Sequence, residues 1–128
     1  MISGLPSTMI SNVKDEIWPF LEGFAERSHR RWTAASLWVD LLGSDKQAWL
    51  IGDWQAVCIT SVSKHAIHIE ACAGVRRHEW QEKLDDTLAE WARELGKDRI
   101  FAKTRPGWAK FGKKRGYKEI HREFVRSI

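Results

Sequence analysis

Glu70 and His68 stand two residues apart in an alternating stretch, Lys64–Cys72. A carboxylate there could act as a general base toward an ammonium, directly or through water, with the imidazole as a relay. The competing reading is a strand-edge carboxylate paired with a neighbouring cation, beside a half-buried, hydrogen-bonded histidine. A few residues on, Arg76, Arg77 and His78 come just before the strongest amphipathic run of the chain. Arginine forks and free helix N–H groups both suit an anion; a solvated basic turn is the alternative. Cys58 and Cys72 fall on what read as neighbouring strands. Two thiols are too few for a metal centre, and His65 and His68 lack a familiar zinc spacing, so no metal site is expected. They read as small buried side chains in a reducing compartment.

Charge adds a second clue. Residues 1–96 hold 10 basic and 14 acidic side chains, whereas residues 97–128 hold 11 basic and 3 acidic. The basic end has three readings: attraction of a polyanionic small molecule, nucleic-acid binding through Lys110, Lys113, Lys114, Arg115 and Lys118, or complementarity with the acidic remainder or a partner subunit. No common nucleic-acid motif is present, so that reading ranks third. The chain has 128 residues, is 43% hydrophobic and contains eight tryptophans, which suits a single domain spanning 1–128. No apolar run approaches a membrane span, and the start does not read as a secretion signal, so a cytoplasmic protein is expected.

The elements that must position these groups follow from periodicity. Met9–Val13 reads as a short strand. Ile17, Phe20, Leu21 and Phe24 recur at helical spacing across Lys14–Ser28, with Pro19 in the first turn if that helix begins near Trp18. Thr33 is a natural N-cap for a second helix ending at Gly43. Gln47–Ile51 and Trp54–Ser63 form a hairpin about Gly52-Asp53, and Lys64–Cys72 continues the meander. There Ile67, Ile69 and Ala71 would share one face, and His68, Glu70 and Cys72 the other. Glu79–Leu95 is a long helix stopped by Gly96, with Trp80 and Trp91 on its core face. Arg99–Thr104 is a strand, Pro106–Arg115 a short basic helix, and Tyr117–Val125 a final strand. The order β-α-α-β-β-β-α-β-α-β implies an α/β fold: a mixed, mostly antiparallel sheet with helices on both faces and one parallel crossover.

That order, with the stretches Trp91-Ala92-Arg93-Glu94-Leu95-Gly96 and Arg105-Pro106-Gly107-Trp108-Ala109 followed by Gly116-Tyr117, resembles the Gcn5-related N-acetyltransferase (GNAT) superfamily and its small phage-encoded members. The resemblance covers residues 9–128 in element order and residues 66–118 at the level of motifs. It implies acetyl-coenzyme A as cofactor and an amine acceptor, in a phage or prophage protein. By the same resemblance, Glu70 is a candidate base with His68 beside it. Backbone at Ala71, Cys72 and Ala73 would polarise the thioester, and Arg76, Arg77, His78, Glu79, Trp80 and Gln81 would form the phosphate loop. Arg105 and Trp108 would complete the cofactor side, Trp108 stacking on adenine or packing beneath the last strand. Trp32, Trp38, Trp49 and Trp54 would lie toward the acceptor or a partner surface. Three positions depart from the pattern: Glu79 and Gln81 replace loop glycines, Gly112 replaces a proton-donating tyrosine, and Arg105 replaces an asparagine. Those departures open a second reading, a catalytically inert relative in phage assembly or a binding module, with a protein partner or a second copy.

Overall fold

A computed structural model of the chain describes residues 1–104 and 106–128, the side chain of Pro106 excepted. The elements are β1 (Ile2–Leu5), α1 (Ser7–Ile10), a 3-10 turn (Ser11–Val13), α2 (Lys14–Arg27), α3 (Ala34–Leu42), β2 (Gln47–Ile51), β3 (Ala56–Val62), β4 (Ala66–Gly74), α4 (Arg77–Glu94), β5 (Arg99–Ala102), a 3-10 turn (Pro106–Trp108) and α5 (Ala109–Lys114). One sheet of five strands runs in the order β1-β2-β3-β4-β5. The first three pairings are antiparallel, and β4 with β5 is parallel. Helix α4 makes that crossover. Among the described residues, no helix is long and apolar enough to cross a membrane.

Each face of the sheet carries its own core. On one face Ile10, Ile17, Leu21, Phe24, Leu37 and Leu41 of the first three helices pack on Ala48, Val57 and Ile59. On the other, Trp80, Leu84, Leu88 and Ala92 of α4 cover Ile51, Cys58, Ile67 and Ile69. Thr33 caps α3 as expected: its hydroxyl accepts from the Ser36 amide at 3.0 Å, and the Ser36 hydroxyl accepts from the Thr33 amide at 3.0 Å.

Several expectations are corrected. The first strand is not Met9–Val13 but Ile2–Leu5, which lies along β2 from Ile2↔Ile51 to Leu5↔Ala48. Pro6 ends it, and Ile10 turns inward as a helical residue in register with Ile17 and Leu21. Helix α2 starts at Lys14 rather than Trp18, so Pro19 sits inside it. The β2–β3 turn is wider than Gly52-Asp53: it includes Trp54 and Gln55, with positive φ at Gly52 (61°) and Trp54 (58°).

Tyr117–Val125 forms no strand. Instead, the Tyr117 amide donates to the Gly112 carbonyl at 2.9 Å and its hydroxyl donates to Asp85 of α4 at 2.6 Å. This holds the chain against α4 where the strand would begin. Ile120, Phe124, Val125 and Ile128 beyond it are exposed. The order therefore ends in a helix, and the sheet closes at β5.

Candidate active site

The central irregularity lies in β4. Ile59 pairs with Ala71 but Thr60 pairs with Ile69, so Glu70 is an extra residue in the ladder, a β-bulge. The bulge reverses the alternation. Ile67 and Ile69 pack under α4, whereas Ala71 and Ala73 pack against the opposite core. The expected face shared by Ile67, Ile69 and Ala71 is therefore broken at Glu70. His68 lies opposite Ser61, and Glu70 reaches Ser61 too, so these two do share a face, that of α2 and α3. Cys72 lies opposite Cys58, on the α4 face.

Strand β5 accompanies β4 only from Ala66 to Ile69, and the Lys103 amide donates to the Ile69 carbonyl at 3.1 Å. Strand β4 then runs on to Gly74 without it. Among the described residues, Glu70, Ala71, Cys72 and Ala73 therefore have no strand partner on the β5 side, which leaves that edge of β4 open. At its far end β3 and β4 approach very closely: a Cβ on Gly74 would collide with Ala56 and the Gln55 carbonyl.

Glu70 is the most constrained ionisable side chain at this edge. Its side chain is 11% exposed. Oε1 accepts from the Ser61 hydroxyl at 2.9 Å, and Oε2 meets the Lys103 ammonium at 3.2 Å. Burial works against its charge, but Ser61 and Lys103 outweigh it and hold the carboxyl below its ordinary value. His68 is turned to another partner: Nε2 lies 2.8 Å from the Ser63 hydroxyl, and the ring stacks on Phe101 with centroids 5.2 Å apart. Lys103 also lies over the Trp32 ring, 6.0 Å from its centroid.

Arg76 caps α4 in the left-handed conformation, φ 55° and ψ 46°. That conformation is costly for a residue with a Cβ, and no side chain caps the start of the helix. Arg77 and His78 are exposed in the first turn. Glu79 is taken up by the Gln55 amide at 3.1 Å. Trp80 is buried in the core, and its indole N–H donates to the Val75 carbonyl at 2.8 Å, tying the loop to the helix. Gln81 Oε1 is buried without a hydrogen-bond partner among the described residues.

Trp108 stands edge-on to Tyr117 at 4.8 Å and to Phe111 at 5.6 Å. Its ring occupies the space above Gly112, where any Cβ would overlap it. Position 112 therefore cannot hold a side chain while Trp108 packs this way. Tyr117 does not replace the absent acid. Burial first, then the Asp85 carboxylate, pushes its phenol well up, and its proton is committed to Asp85. Arg105 lies outside the described residues. Trp32, Trp38 and Trp54 pack on the α2–α3 face, whereas Trp49 meets Trp91 edge-on at 5.1 Å on the α4 face. Part of the basic segment is matched within the chain: Arg115 reaches Glu82, Asp85 and Asp86 of α4. Lys103 and Ser61 are site residues that the sequence reading missed. A lysine one residue past a strand parallel to the Glu70 strand was the available signal.

No protein-family model matches the chain, and no curated protein matches it. Solved structures do. A probable acetyltransferase superposes with a TM-score of 0.74 at 15% identity, over 100% of this chain and 97% of its own. The fold is that of the acetyltransferases. The ribosomal-protein-alanine N-acetyltransferase of Brucella melitensis biovar Abortus 2308 has the same acetyltransferase fold, with a TM-score of 0.70 at 15% identity over 100% and 99% of the two chains. So does an aminoglycoside N-acetyltransferase in complex with coenzyme A, with a TM-score of 0.69 at 13% identity over 100% and 93%.

Proposed function

We propose that this protein transfers an acetyl group from acetyl-coenzyme A to an amine, as a single unit spanning residues 1–128. The observation that carries this reading is the open edge left where β5 stops at Ala102, opposite Ile69, and β4 continues past the Glu70 bulge, in a fold whose solved examples include coenzyme A complexes. Bound acetyl-coenzyme A would supply an activated thioester. Backbone groups of Ala71–Ala73 along the open edge would align the extended arm and polarise the carbonyl. The amides at Arg77 and His78, with the guanidinium groups of Arg76 and Arg77, would hold the pyrophosphate. Glu70, ionised and fixed by Ser61, would accept the amine proton. With no side chain at position 112, the departing thiolate would take its proton from solvent.

The two acetyltransferase-like sequence stretches also support a phage or prophage origin, in which case the protein would act in the cytoplasm of the host. The alternative is an inert binding protein of the same fold. It is favoured by one observation: Glu70 already has two partners, Ser61 and Lys103. Calorimetric or tryptophan-fluorescence titration with acetyl-coenzyme A separates the two. Saturable binding is expected, and no binding at millimolar cofactor would refute the transferase reading. Nucleic-acid binding by the α5 lysines remains the third reading, and a mobility shift that weakens steeply with salt would be its signature.

A further inference from the structure

The acceptor side of this open edge is charge-balanced before any substrate arrives. Lys103 meets Glu70 at 3.2 Å, Lys46 meets Asp40 at 3.3 Å, and Arg31 meets Glu123 at 2.7 Å. Lys46 and Lys103 both act on Glu70, and Lys103 also acts on Glu123. A simple cationic amine approaching Glu70 would come within a few ångströms of the Lys103 ammonium and add an unmatched positive charge. Like charges at such a distance disfavour binding. An amine that carries its own carboxylate avoids this cost. Its ammonium would take Glu70, and its carboxylate would take Lys103.

The two halves of the existing pair are suited to such an insertion. Glu70 is nearly buried and pinned by Ser61, whereas the Lys103 side chain is 65% exposed and free to swing outward. Trp32, beneath Lys103, gives the displaced ammonium and the ligand's apolar part a flat wall. We propose that the acceptor is a zwitterionic amine of the α-amino acid type, inserted between Glu70 and Lys103, with Lys103 as the residue that selects its carboxylate. This rests on the transferase reading above and narrows it to a substrate class.

The test uses the full chain with acetyl-coenzyme A and two substrate sets, the α-amino acids and the matching α-amino amides. Acetylated products are read by mass spectrometry, and binding without cofactor is read by tryptophan fluorescence. The acids should be preferred over their amides by about tenfold or more, the size of one charge-assisted contact. Lys103→Met should bring that ratio close to one, and Lys103→Arg should keep most of it. Equal or better use of the amides by the wild type, an unchanged ratio in Lys103→Met, or neither set bound or acetylated would overturn the inference. If acetyl-coenzyme A itself fails to bind, the transferase reading falls. The acid-against-amide binding comparison then still decides whether Glu70 and Lys103 form a zwitterion site.

Discussion

Glu70 carries its charge between a hydroxyl and an ammonium, and this sets what it can do. Its folded-state value lies below the ordinary carboxylate value, so it is ionised throughout the neutral range. A fall in acetylation rate between pH 8 and 6 would then not arise from protonation of Glu70, and an NMR titration of the carboxyl checks this directly. The sign for stability follows. The Glu70 contribution is fully present above the unfolded value and is lost as pH falls through the lower folded value. Lys103→Met should raise the Glu70 pKa and shorten that acid-side window. Glu70→Gln should lower turnover by about a hundredfold, a usual general-base contribution, without weakening acetyl-coenzyme A in the same calorimetric titration. Gly112 makes a different point at this scale. Gly112→Ala drives a methyl group into the Trp108 ring and should destabilise the fold by about 1–3 kcal/mol in urea denaturation.

At the level of elements, the loop before α4 combines a cost with a use. Arg76 holds a left-handed conformation that glycine adopts freely. Arg76→Gly should therefore raise stability by up to about 1 kcal/mol, while losing the guanidinium weakens acetyl-coenzyme A. A variant improved on both counts would remove Arg76 from the phosphate site. Opposite this loop end, Tyr117 anchors the chain after α5 through its hydroxyl on Asp85. Tyr117→Phe should cost roughly 1.5–3 kcal/mol, as for a hydrogen bond to a charged acceptor. The elements also show what the sequence makes legible. Thr33 and Gly43 mark the ends of α3 because capping chemistry is local. The long α4 stripe is equally plain. The Glu70 bulge is not, because Ile67, Ile69, Ala71 and Ala73 are all apolar or small and read as one uninterrupted alternation. A register shift becomes visible only when the partner strand is known. The strand pattern in Tyr117–Val125 is real as a pattern. It fails because side-chain contacts to α4 fix where that segment starts.

Across the whole molecule, the two faces of the sheet divide the work. The α4 face carries the basic loop at Arg76 and Arg77, proposed above to hold the pyrophosphate, and the α2–α3 face presents Glu70, Lys103 and Trp32. The bulge belongs to both, since it turns Glu70 to one face and Cys72 to the other at the point where the edge of β4 opens. The resemblance carried the fold because element order survives sequence divergence. It could not reveal Lys103 or Ser61, whose place depends on strand register. Among the ion pairs and side-chain hydrogen bonds of the described residues, the segment after Tyr117 meets the body at one exposed pair, Arg31 with Glu123. Removing residues 118–128 should therefore leave the melting temperature nearly unchanged in calorimetry. A large drop would mean that this segment supports the core.

Because the sheet ends at β5, a row of backbone N–H and C=O groups there faces outward, an invitation to edge-to-edge association. The protein blunts it by brevity and charge. The strand is only four residues long, Arg99 opens it and Lys103 follows it, both exposed. Lys103, proposed to choose the substrate, thus also stands sentinel against aggregation, so its replacement by an apolar residue should be checked for loss of solubility as well as of selectivity.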